Sequence, residues 1–149
     1  MIVFPSTQET TEIIDSIRAA IGRVVTFTTI DSTTECTACT LDPVTQTSTN
    51  SFCEVCGGIH FIPTYLDVIV SGHVTWNTAD DVAPYAGGNV FEGDCRVQIK
   101  RSNKNLNIID RTESVKVDGR TLKIDKIIPR GVPQLNRIIL LLQEEDKDE

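Results

Sequence analysis

The chain has 149 residues, of which 40% are apolar, 23% charged and 5% aromatic, with a net charge of −7 at pH 7. That size and balance describe one globular domain and exclude a disordered chain. The longest apolar run, Ile138–Leu142, is far short of the ~20 residues of a bilayer span, and the acidity argues against a general nucleic-acid binder.

Met1–Pro5 lacks the basic and long apolar regions of a secretory signal, so the protein is expected to be made in the cytoplasm. Ser6-Thr7-Gln8-Glu9 reads as a capping box, and Ile13, Ile14, Ile17, Ala20 and Ile21 follow at helical spacing. The pattern predicts a helix over residues 7–21, stopped by Gly22 in a left-handed conformation. Its apolar face has to be covered by the rest of the chain or by a neighbouring subunit.

Val24–Ile30 is rich in β-branched residues and predicts a strand. Residues 31–62 break the periodicity with Thr, Ser, Asn, Gly and paired cysteines. Residues 67–76 predict a longer strand with a bulge at Gly72. Residues 77–92 form a loop by composition, with Asn77, Asp80, Asp81, Pro84, Gly87, Gly88 and Glu92. Unstructured loops of that length inside a compact domain are usually functional.

Cys95, Val97 and Ile99 alternate with polar residues, as in a half-buried strand. Val115-Lys116-Val117-Asp118-Gly119-Arg120-Thr121-Leu122-Lys123-Ile124 is the strongest local signal. Asp-Gly between two alternating runs specifies a tight type I′ hairpin. Pro129–Pro133 turns the chain, and Leu135–Leu142 returns as the last strand. The expectation is a mainly β protein: a small antiparallel β-barrel over the whole chain, with a short N-terminal helix, an inserted zinc ribbon at 31–62 and an acidic tail at 144–149. Closing the sheet hides its edges, which makes a barrel the economical arrangement.

Charge is uneven along this order. Residues 1–60 carry seven acids and two bases, whereas residues 111–143 carry three acids and seven bases. Opposite charge on two parts of one chain suits docking between subunits.

Cys36-Thr37-Ala38-Cys39 and Cys53-Glu54-Val55-Cys56 are two C-x2-C pairs with 13 residues between them. Each such turn places two thiolates on one side of a knuckle, and two knuckles complete a tetrahedral zinc site. Gly57 and Gly58 permit the positive φ that such a knuckle uses. Thr40–Phe52 would be the exposed hairpin of the ribbon. Two disulfides are the alternative in an oxidising compartment, but the absent signal and the odd fifth cysteine favour zinc. Zinc bound by Cys36, Cys39, Cys53 and Cys56 would be structural, because four thiolates leave no open position. His60 could replace a cysteine as ligand, but with four cysteines at hand it is assigned no such role. Cys95 is read as a small core residue.

No catalytic constellation emerges. His60 and His73 are the two neutral-pH bases, and neither has a nucleophile motif nearby. Gly87-Gly88 lacks the Lys-Ser/Thr of a phosphate loop, and the Asp80-Asp81 pair reads as solvated. The chain is not expected to be an enzyme.

Residues 93–99, the 115–129 hairpin and Arg137–Leu142 together resemble the head-closure (stopper) and head–tail adaptor proteins of tailed bacteriophages. The resemblance also takes in Val24–Ile30 as the early strand. It implies a β-barrel whose long internal loop, here residues 77–92, faces a channel. It implies a homo-oligomeric ring in the virion neck, with portal or adaptor protein on the head side and tail protein on the other. Such a ring retains packaged DNA, touches it non-specifically and has no membrane partner. The front helix and the cysteine-rich insertion depart from the family pattern. The second reading is a zinc-ribbon module that binds nucleic acid or serves transcription. Residues 31–62 contain no Lys or Arg, which opposes it.

Overall fold

The computed structural model describes residues 6–76, 94–131 and 134–144. Helix α1 (Thr7–Ile21) has the expected bounds. Its capping box is complete: the Glu9 amide donates to Ser6 Oγ at 3.2 Å, and the Ser6 amide donates to Glu9 Oε2 at 2.7 Å. The bond from the Ser6 amide, helped by its side chain, holds the Glu9 carboxyl below its ordinary range.

One expectation for this end is corrected. Gly22 is extended (φ −67°, ψ 143°), not left-handed. Glycine is required there by space, since a Cβ would stand 2.5 Å from Ser71 Oγ and 2.7 Å from the Arg18 carbonyl oxygen. The barrel also leaves most of the isoleucine stripe uncovered: Ile13, Ile17 and Ile21 are 54%, 54% and 51% exposed. The most buried α1 residue is Arg18, which binds Asp15 Oδ1 at 2.7 Å. Asp15 in turn reaches Lys100 Nζ at 2.9 Å, tying the helix to the sheet.

Six strands form a closed antiparallel barrel: β1 (Arg23–Glu35), β2 (Phe61–Trp76), β3 (Cys95–Lys100), β4 (Thr112–Val117), β5 (Arg120–Arg130) and β6 (Arg137–Glu144). Their order around the barrel is β1-β2-β3-β6-β5-β4, with β4 returning to β1. Closure thus rests on two pairings between elements distant in sequence, β3 with β6 and β4 with β1. The period-2 alternation sends Val25, Phe27, Val97, Ile99, Val115, Val117, Leu122, Ile138, Leu140 and Leu142 inside, all essentially fully buried. Cys95 joins them as the small core residue expected, and burial, its largest influence, pushes the thiol up to about 11.

The β4–β5 turn is the tight hairpin expected, with Asp118 at φ +49° and Gly119 at φ +80°. Gly72 carries no bulge; the irregularity in the β1–β2 ladder falls between Ile30 and Ser32. A Cβ at Gly72 would meet the Gln98 carbonyl at 2.9 Å, so this glycine lets β2 and β3 approach where the sheet curves. A second helix, α2 (Asn103–Asp110), lies where the sequence reading placed none. Ser102 caps it, accepting from the Asn105 amide at 3.2 Å, and its Ile108 and Ile109 join the barrel core.

The loop residues Asn77, Asp80, Asp81, Pro84, Gly87, Gly88 and Glu92 lie outside the described residues, as does the tail beyond Glu144. Glu144 itself ends β6 and pairs with Arg120 at 2.7 Å. Among the described residues, no helix is long and apolar enough to cross a membrane.

Candidate metal centre

β4 borders β1 only from Thr26 to Thr29, whereas the β1–β2 ladder runs on to Glu35 opposite Phe61. Past the barrel these two strands therefore continue as a two-stranded arm, with Asp31–Glu35 all exposed. The arm brings residues 36 and 60 together: the Cys36 amide donates to the His60 carbonyl at 2.8 Å. The predicted insertion 31–62 thus divides into arm strands at its ends and a cysteine knot between them.

Between the knuckles, Leu41 bridges Ser48 and a tight turn is held by Asp42, whose Oδ1 accepts the Val44 amide at 2.8 Å. Behind the second knuckle, Gly57 (φ +62°) and Gly58 (φ +93°) take the left-handed conformations expected of them. At Gly58 a Cβ would also stand 2.7 Å from the Ser51 carbonyl oxygen.

The result is a cluster of four sulfurs, from Cys36, Cys39, Cys53 and Cys56, all within 4.8 Å of one another. No disulfide joins them. Cys36 and Cys53 Sγ are 3.8 Å apart, and Cys39 and Cys56 Sγ are 3.6 Å apart. A regular tetrahedron with metal–sulfur bonds of about 2.3 Å has sulfur–sulfur edges of about 3.8 Å. These two separations match that edge, and the remaining ones lie within 4.8 Å, so the cluster is of the size a tetrahedral metal ion needs.

Its electrostatics favour thiolate at one position. Burial raises the Cys56 thiol, but hydrogen bonds from the backbone at His60 and Gly58, and from Cys53 and Cys39, outweigh it and bring it down to about 6. Ser48 lowers Cys39, yet burial and the other three sulfurs together push it up to about 12. Four thiols this close resist sharing several negative charges, which a divalent cation would relieve.

His60 is more closely involved than its sequence position suggested. It is buried at φ +65°, its Nδ1 lies 3.4 Å from Cys39 Sγ, and its ring meets Phe61 edge to face. It touches three of the four cysteines, through its ring, its carbonyl and its amide side. A ring nitrogen placed against a sulfur in this way holds that sulfur in one orientation. The signal that could have found it is the His immediately after Gly57-Gly58-Ile59, where the chain must turn back to the arm. His73, the other histidine, sits on β2 opposite Gln98 in the barrel wall. No protein-family model matches this chain, and no curated protein matches it in sequence.

Proposed function

We propose that this chain is a non-enzymatic structural protein of the tailed-bacteriophage neck, a head-closure or head–tail adaptor subunit that works as a ring. The observation that supports it most is the closed antiparallel barrel, in which the Val115–Ile124 hairpin and the Arg137–Leu142 strand hold wall positions. Those two segments carry the resemblance to the family. In this reading the ring retains the packaged DNA. The ring sits below the portal–adaptor complex and hands over to the tail.

Zinc is the metal proposed for the four cysteines, because a closed set of four thiolates in tetrahedral array selects zinc or iron and suits no hard cation. Its part is to fold the tip of the arm. Ile13, Ile17 and Ile21, half-exposed along α1, fit a subunit whose outer surfaces are covered by neighbours. The nucleic-acid reading is weaker, since residues 31–62 offer four acids and no base to a phosphate backbone.

Electron microscopy of particles tests this proposal. Density for the barrel in a ring between portal and tail is the expected result. A protein missing from purified particles, or one that binds DNA tightly and with steep salt dependence in isolation, contradicts it.

A further inference from the structure

Two surfaces of the molecule complement each other in charge and apolar character. The first is the tip of the cysteine arm. Phe52 is 90% exposed and Val44 88%, and Val55 and Ile59 of the same segment are exposed as well. The charges of residues 31–62 are all acidic: Asp31, Glu35, Asp42 and Glu54. An exposed phenylalanine next to Cys53 does nothing for the sulfur cluster itself, and several large apolar side chains exposed in one acidic segment suit a surface that a partner covers.

The second surface is the outer face of β3–β6–β5. The inward residues Val97, Ile99, Ile138 and Leu140 are buried, so the alternate positions point out. The registers set them in rows: Lys100 opposite Arg137 opposite Arg130; Gln98 opposite Ile139 opposite Ile128; and Arg96 opposite Leu141. Bases thus flank an apolar centre. Like charges directly opposite one another across strands are destabilising, and here three stand in line. Lys100 has Asp15 as partner. This row calls for external acids.

We propose that the cysteine arm of one copy docks on the outer face of β3–β6–β5 of the next copy, so that copies join head to tail. The acids of the arm answer the Lys100–Arg137–Arg130 row, and Phe52 and Val55 cover Ile139 and Ile128. A heterologous contact of this kind closes into a ring when its rotation permits. The inference rests on the ring reading above and names the surfaces that build it. An acidic protein segment suits the face better than a phosphate backbone does, because only the former also supplies apolar side chains for the centre.

Sedimentation velocity of the full, zinc-loaded chain tests it. The wild type is expected to self-associate, more weakly as salt rises. Phe52→Ser and Arg130→Glu are each expected to raise the dissociation constant at least about tenfold. Both positions are exposed, and zinc content and far-ultraviolet dichroism check that the variants are folded. Because the contact is head to tail, mixing the two variants has a distinct outcome. Each has one sound surface, so they form a one-to-one pair and nothing larger.

Variants that associate like the wild type, or a wild type that stays monomeric at every concentration, overturn the docking. So does a face that retains a DNA duplex in place of a second copy and loses it on Arg130→Glu. Microscopy separates the two claims. A neck ring whose subunits touch through other surfaces ends this inference and leaves the ring reading standing. Absence from the neck ends that reading and leaves the solution contact to be judged by sedimentation.

Discussion

The barrel and the cysteine arm are made from the same two strands, β1 and β2, yet different forces hold them. Within the barrel, β1 has neighbours on both edges and buries Val25, Phe27 and Thr29. Beyond Ile30 it has β2 alone, and its residues from Asp31 to Glu35 are exposed. An isolated two-stranded ribbon is marginal in water. The arm has no apolar core beyond its sulfurs and Ile62, so it needs a clamp of another kind. Four cysteines clustered at its tip can supply one if they hold the proposed metal ion. The same chain thus carries a module that stands by burial and, with the proposed metal bound, a module that stands by ligation.

The largest effect should come from the barrel. Leu140→Ala removes a fully buried side chain at the centre of β6 and is expected to cost about 2–5 kcal/mol. Urea unfolding followed by far-ultraviolet dichroism measures the loss. A value within experimental error of zero would mean that Leu140 does not sit in a packed core.

Removing the metal is expected to act on the other module only. With a strong chelator, amides in residues 36–60 should exchange at least about tenfold faster, whereas those of Phe27, Val97 and Leu140 should not change. A barrel that unfolds on chelation would show that the two modules are one cooperative unit.

Thiol chemistry separates the same two regions. In the chelated protein at pH 8, an alkylating reagent should modify Cys36, Cys39, Cys53 and Cys56 and spare Cys95. That thiol is 1% exposed inside the barrel, which is expected to keep its fold without the metal, whereas the loosened arm opens its four cysteines to the reagent. Mass mapping of the adducts reads the result, and early modification of Cys95 would contradict its place in the core.

The smallest effect concerns α1, which belongs to neither module. Glu9 is held below its ordinary value near 4.5 by the Ser6 amide and side chain. A carboxyl lowered on folding contributes stability above its unfolded value, and that contribution is lost as pH falls through the lowered one. Exchange at the amides of Glu9 and Thr10 should therefore rise below about pH 4, once the intrinsic pH dependence is removed, with the barrel amides unaffected. Glu9→Gln should flatten that response.

Local signals were legible in the sequence, and distant ones were not. The capping box and isoleucine spacing placed α1, and Asp118-Gly119 placed the β4–β5 hairpin, because each is decided within a few residues. The C-x2-C pairs likewise announced the sulfur cluster. The pairing of β3 with β6 and of β4 with β1 leaves no local mark, since any alternating strand can border another. Gly22 and Gly72 were read as a left-handed stop and a bulge, the usual local reasons for glycine. Their reason is close approach to Ser71 and Gln98, contacts that only the closed barrel creates. Helix α2 escaped because its eight residues complete barely two turns, and its buried Ile108 and Ile109 show no repeat. The apolar stripe of α1 was real, but its pattern could not say that the barrel would cover Arg18 in preference to Ile13 and Ile17.

The central claim is that the four cysteines form a zinc clamp separate from the barrel core. Elemental analysis of the purified chain, with Cys53→Ser beside it, tests this most directly. One closed tetrahedral site predicts about one zinc per chain in the wild type, little in the variant, and the same barrel melting in both. A wild type without stoichiometric metal, or a variant that retains it, would contradict the account.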